Sequence, residues 1–360
     1  MAYLPKLEFA NFHLTFGDNL RLLDLFEDVV IPAFLDEAFE RKYGTTTYRF
    51  LDVRLVNVTD GGVEIPAIFG RLLKDMVIYR PQVMENGQLV EQEVSLPSAE
   101  TSLFLLLLDT HRLLYLQETQ FAPGLRAFRT SALQALQPRL SSFVNQIYGE
   151  FKSEGTSNSL ESISALEGRN PQKFTKKAIR ELLGAPLLEV VPLGTEASLE
   201  GFLQRFSLLQ RVQVDVIKTN DELNNDALFA QVKLQGESFG TKTPQVVHEN
   251  SDGLIKAHVQ TALAQPISQG TVAASFRGKD ESLNLLKGDA SEFAVRMPVK
   301  NLPGIGDMIG RAKRMFSMFS AQRQSGALIV PEASDAVKEK LVEIGKRFEM
   351  KEAIVPDANQ

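Results

Sequence analysis

Leu302-Pro303-Gly304-Ile305-Gly306 opens the stretch KNLPGIGDMIGRAKRMFSMFSAQR, which runs from Lys300 to Arg323. A glycine-containing turn that starts a helix presents unpaired backbone amides, and these attract phosphate. Lys300, Arg311, Lys313 and Arg314 would reinforce that attraction, while Gly304 and Gly306 would let the backbone come close. A second basic cluster, Arg169, Lys173, Lys176, Lys177 and Arg180, contains no acid over its span. Charge without base-reading chemistry predicts binding to double-stranded DNA that is sequence-independent and salt-sensitive, with both patches on one duplex.

The turn has the form found in helix-hairpin-helix modules, which need a helix on each side. Downstream, Met308, Ile309, Ala312, Met315, Phe316 and Phe319 recur as an apolar stripe, with the bases largely off it. Upstream, Phe293, Val295, Met297 and Val299 alternate at strand period and Pro298 disfavours a helix end. Half of the motif is therefore present. Two plainer uses of the segment stay open: a strand-to-helix connection over a Met/Phe core stripe, or a cationic helix docking on a membrane or a partner.

Other residues offer little chemistry. His13 and His111 have no acid at ligand spacing, and His248 and His258 bracket Glu249 and Asp252 without forming a recognisable metal set. Asp215 and Lys218 on one strand match half of a metal-dependent nuclease signature, but Val216 stands where its second carboxylate belongs. There is no phosphate loop or zinc-protease motif. The reading favours a non-enzymatic protein with no cofactor and no metal, and keeps a nuclease as a third alternative.

The elements that must position these residues read as α+β with mostly antiparallel sheets. Apolar alternation predicts strands at LEFANFHLTF, at Thr45–Val58, at Asp75–Val94 around the hairpin turn Glu85-Asn86-Gly87, and at Leu103–Leu108 with Leu113–Leu116. Helices are expected after Asp18, with Pro32 kinking or dividing the segment, and over Gly124–Phe151, with Pro138 bending this helix or beginning a new one. Lys152–Ser164 is rich in Ser, Gly and Asn and reads as a linker. Domains are thus expected at 1–152 and 171–360, joined by 153–170. The second part reads as a basic helix to Leu183, a β-α-β pattern over Leu187–Lys218, a helix at Leu254–Ala264, paired strands at Thr271–Arg277 and Phe293–Val299, and two final helices.

Composition bounds the class. The chain has 360 residues, 44% hydrophobic and 23% charged, as in a folded protein, and contains no cysteine. Thiolate catalysis, disulfides and cysteine-ligated metals are excluded, and a reducing cytoplasm is expected. No apolar run approaches membrane-spanning length and the N-terminus lacks signal-peptide character. The net charge of −6 conceals asymmetry: Asp18–Glu40 holds seven acids against Arg21 alone. That acidic segment and the Met/Phe helix support an alternative reading as a scaffold subunit that binds protein partners.

Three stretches carry a family resemblance. They are SLFLLLLDTHRLLYLQET followed by GLRAFRTSAL, then LLEVVPLGTEASLEGFLQRFSLLQRVQVDVIKTND, and a C-terminal region of paired strands after a helical insert. In this layout the chain resembles the RexA-like phage-exclusion proteins and their bacterial relatives. The resemblance implies DNA binding without sequence preference, a homodimer, and a sensor role that triggers a separate membrane effector in anti-phage defence. It transfers no binding residue, and the LPGIG-led basic helix departs from the family's compact form.

Overall fold

A computed structural model describes residues 3–168, 174–217, 227–241, 243–348 and 353–354. In chain order the first elements are Lys6–Phe16 (β1), Leu20–Arg21 (β2), short 3-10 and π turns over Leu22–Leu25 and Phe26–Val30, and Ile31–Phe34 (α1). Next come Arg41–Tyr43 (β3), Thr46–Asp60 (β4), Val63–Glu85 (β5), Gln88–Leu107 (β6) and Arg112–Gln117 (β7). Leu125–Glu154 (α2), Asn158–Glu167 (α3), Lys176–Leu183 (α4), Leu187–Pro192 (β8), Glu196–Gln204 (α5) and Leu208–Val216 (β9) follow. The rest are Ala227–Ser238 (α6), Gln245–Glu249 (β10), Lys256–Gln269 (α7), Val272–Lys279 (β11), Leu285–Asp289 (β12), Arg296–Pro298 (β13), Met308–Gln324 (α8), Asp335–Arg347 (α9) and Ala353–Ile354 (β14).

These elements make an α+β fold around two sheets. The larger sheet has the order β13-β1-β7-β6-β5-β4-β14, with β2, β3 and β8 attached at its margins; only the β14–β4 pair is parallel. Its central strands are apolar on both faces, as the run Leu103–Leu108 requires. Phe104 and Leu106 face one layer with Phe12, Phe34, Phe128 and Ile179, contributed by β1, α1, α2 and α4. Leu103, Leu105 and Leu107 face the other, against Met308, Met315, Phe316 and Phe319 of α8. The smaller sheet, β10-β9-β11-β12, is antiparallel and packs α5 and α7 on its apolar face.

Several expectations change. The stretch read as a linker holds the end of α2 and all of α3, and Glu167 of α3 accepts hydrogen bonds from the amides of Asp18, Asn19 and Leu20. Strands from beyond residue 171 also join the first sheet, because β8 and β13 both pair with β1. The β-α-β order is real in sequence, but β8 lies in the large sheet and β9 in the small one. Thr271–Arg277 and Phe293–Val299 do not pair with each other: β11 pairs with β9 and β12, and β13 pairs with β1. Local alternation signals that a strand exists; its partner is chosen by burial, here of Met297 and Val299 in the α8 layer of the large sheet. α2 runs through Pro138 as one continuous helix.

Candidate functional site

The LPGIG turn is spent on docking. Arg311 is buried, its Nε donating to the carbonyls of Pro303 and Gly304 at 2.9 and 3.1 Å, while its Nη1 pairs with Glu118. Glu118 also accepts from Thr101 Oγ1 at 2.6 Å and lies 3.5 Å from Arg71 Nε; Arg71 in turn donates to the Ile305 carbonyl. Three carbonyls of the turn are therefore held by two arginines that share one carboxylate, fixing α8 against β5 and the end of β7. At the start of α8, Asp307 Oδ1 accepts from the Gly310 amide at 2.8 Å. The helix N-terminus already carries a carboxylate where phosphate was expected. Gly304 and Gly306 sit in an exposed turn with space for a Cβ at each. Arg311 is thus committed to an internal lock through the turn's carbonyls, Gly304 and Gly306 stay exposed, and the Met/Phe stripe is core. Lys313 and Arg314 are half-buried on α8, and Lys300 is exposed in the preceding loop.

The second predicted patch is a surface feature. Lys176, Lys177 and Arg180 are exposed on α4, with Lys177 paired to Glu181 at 3.8 Å and Lys176 over the Tyr148 ring. Lys173 and Arg169 lie outside the described residues. Since α4 packs in the layer with α2 and α8 in the opposite one, the two basic patches stand on opposite faces of the large sheet. The expected two-patch clamp on one duplex is not formed.

Four of the seven acids in the acidic segment are paired within the chain. Asp24 pairs with Lys340 and Glu27 with Arg347, both at 2.7 Å; Asp36 pairs with Arg139 at 2.9 Å and Glu40 with Arg49 at 2.6 Å. Asp28 has its carboxyl pushed above the usual range by burial, and then by its neighbour Glu27.

The small sheet presents what the sequence did not announce. On β9, Val212, Val214 and Val216 turn inward, which leaves Arg211, Gln213 and Asp215 on the opposite face. β11 and β12 follow the same alternation, so that face is open and polar. Register then aligns charge. Arg211 is opposite Arg277, Arg277 is opposite Lys287, and Glu249 of β10 closes the row beyond Arg211. The next outward row is Val247, Gln213, Ser275 and Asp289.

Three cations on adjacent strands span about 10 Å at the usual strand spacing. Like charges directly opposite each other destabilise a sheet, so such a row needs an anion or strong hydration. Arg211 lies 3.4 Å from Glu249, whereas among the described residues Arg277 and Lys287 have no ion-pair partner. A cleft of about 470 Å³ lies over them, lined by Arg211, Ser275, Arg277, Lys287, Asp289 and Glu292. Glu292 is held at 2.8 Å by Arg205, and Asp289 accepts from the Ser291 amide and hydroxyl. Glu292 is thereby charge-paired, while Asp289 keeps its charge beside the row. RVQVDV and ASFRGK do carry the alternation in sequence, but not the register that lines up Arg211, Arg277 and Lys287.

Of the histidines, His13 Nε2 is 2.7 Å from the Gly270 carbonyl oxygen, and His111 is fully buried. Burial first, then the nearby His13 and Arg112, hold the His111 imidazole down to about 3. His248 and His258 both line a separate apolar groove of about 420 Å³ between β10 and α7. Among the described residues no three His, Asp or Glu side chains converge as a metal site. Asp215 accepts from Gln213 Nε2 at 3.1 Å and stands opposite Ala273 and Gln245; Lys218 lies outside the described residues. No described helix is long and apolar enough to cross a membrane. No protein-family model and no curated protein sequence matches this chain.

Proposed function

We propose that this protein binds the phosphate backbone of double-stranded DNA without sequence preference, through the open face of the small sheet. The observation that carries the reading is the cross-strand row Arg211, Arg277 and Lys287, two of whose members lack an ion-pair partner among the described residues. Arginine and lysine side chains aimed off a flat sheet meet phosphate oxygens as directional donors and as a point charge respectively. Gln213 and Ser275 in the adjacent row add neutral donors suited to backbone or sugar contacts. The net charge of −6 does not oppose this, since a local cation row over a polar cleft acts within a Debye length of about 10 Å. The resemblance to phage-exclusion proteins gives the binding a setting, namely a sensor whose occupancy is read by a separate effector. That setting is part of the proposal.

Fluorescence anisotropy with two unrelated 30-base-pair duplexes at low salt tests the location. Arg277→Ala/Lys287→Ala should weaken both duplexes alike, by at least tenfold. Lys176→Ala/Lys177→Ala/Arg180→Ala should leave affinity within about twofold. The reverse pattern would move the site to α4, and absence of binding by the unmodified protein would end the reading.

A further inference from the structure

The groove behind the small sheet has two walls that run in step. In β10, Val246 stands opposite Val214 and His248 opposite Val212. Val212 and Val214 point into the core, so their β10 partners share that apolar face. α7 makes the second wall, where His258, Val259, Ala262 and Leu263 recur at helical spacing and line the same groove. The Leu254 amide donates to the Leu209 carbonyl at 2.6 Å, and the Ile217 amide to the Thr271 carbonyl at 3.1 Å. α7 therefore runs alongside β9 from its start to its end, and β10 runs against both. His258, in the first turn of α7, accordingly stands at the same end of the groove as His248.

The rest of the slot is apolar. From His248 to Val246 the strand rises about 7 Å, and from His258 to Leu263 the helix rises about 7.5 Å. Among the described residues no aspartate, glutamate, lysine or arginine lines this groove. Asn250, at the histidine end, is committed: its Nδ2 donates to the Gly253 carbonyl at 2.9 Å, and its Oδ1 accepts from the Asp252 amide at 3.0 Å. Neither imidazole has a hydrogen-bond or ion-pair partner among the described residues. Two unengaged ring donors thus share one end of an apolar slot.

We infer that the groove holds a small carboxylic acid with an apolar body. Its carboxylate accepts an N–H from each imidazole, and its carbon chain lies on Val214, Val246, Ala262 and Leu263. Chemistry selects the head group. An amine would meet no carboxylate there, whereas an ionised acid accepts from two donors in bonds that its charge strengthens. Size selects the body. At about 420 Å³ the groove falls among small-ligand pockets of about 300–1,000 Å³, and a slot between one strand and one helix suits a small molecule better than a protein partner burying about 1,000 Å². The groove and the cation row lie on opposite faces of β9, so this inference does not depend on the DNA-binding reading.

Octanoate is the probe, titrated by calorimetry at neutral pH beside hexanoate and the uncharged octanol. Octanoate should bind the unmodified protein, and hexanoate, two CH₂ groups shorter, should bind roughly tenfold more weakly. His248→Ala/His258→Ala should weaken octanoate at least tenfold while leaving octanol within about twofold. Both histidines are exposed, so the variant should keep its circular dichroism. Ala262→Phe, which fills the slot from an exposed helix position, should abolish binding of both. The chain has four histidines, and octanoate should move the imidazole NMR signals that the double variant lacks, leaving those of the buried His13 and His111 in place. Absence of octanoate binding at millimolar concentration would overturn the inference. So would octanoate affinity unchanged in the histidine variant, or binding that survives Ala262→Phe.

Discussion

Replacing Glu118 by Gln removes one charge from the lock that holds the LPGIG turn. Glu118 and Arg311 have side chains 5% and 10% exposed, and Arg71, at 12%, shares the same carboxylate. Glutamine keeps the shape and leaves the buried Arg311 guanidinium facing a neutral amide, while Arg71 retains Asp52 at 3.2 Å. Removing one partner of a buried pair costs about 3–5 kcal/mol, mainly through the charge left behind. With an unfolding entropy near 2.1 cal/mol/K per residue, a 360-residue chain melting as one unit loses roughly 4–7 °C in Tm. Differential scanning calorimetry reads this directly. The double variant Glu118→Leu/Arg311→Met should recover much of the loss, because it removes the unpaired charge together with the pair. DNA affinity of the double variant should match the unmodified protein within about twofold. A Tm unchanged in Glu118→Gln would refute the buried lock. Full stability with lost DNA binding in the double variant would return Arg311 to the role its sequence context suggested.

Two further outcomes follow from buried groups. Glu167→Ala strips the carboxylate that receives three amides at the β1–β2 turn and should cost about 2–3 kcal/mol in urea unfolding, at the value of charged hydrogen bonds. An effect under about 0.5 kcal/mol would mean that water replaces it. His111 is held neutral in the fold, with its pKa lowered from 6.5 to about 3 by burial. Between those values the unfolded chain binds the extra proton, so this group's stabilising contribution is complete above pH 6.5 and is lost as pH falls toward 3. His111→Asn, which suits the positive φ of 53° at this position, should flatten the fall in stability between pH 6 and pH 4. An unchanged slope would show that other groups govern acid unfolding.

Much of the fold was legible because local chemistry settled it. The apolar run Leu103–Leu108 required a strand buried on both faces, Asn86-Gly87 required a hairpin, and the Met308-to-Phe319 stripe required a packed helix. Register was not legible. Arg211 and Arg277 are 66 residues apart in sequence, and no local signal says that their strands are neighbours with those two residues opposite each other. Basic residues near a glycine-rich turn looked like a phosphate site because sequence shows charge without its partner. Glu118, Asp307 and the opposite-face placement of α4 and α8 became visible only with the tertiary contacts. Lys152–Ser164 misled for a related reason: a polar composition suits a linker, but Ser157 caps α3 by accepting from the Leu160 amide, and Leu160 and Ile163 are buried.

The most direct test of the central claim is the salt dependence of DNA binding. Counterion release predicts a slope of log K against log salt near −0.9 for each phosphate neutralised, and the row reaches about two phosphates. The unmodified protein should therefore show a slope of about −2 or steeper, equal for two unrelated duplexes, and Arg277→Ala/Lys287→Ala should reduce its steepness by nearly 2. A slope that stays the same in that variant would contradict the assignment of phosphate contacts to the open face of the small sheet.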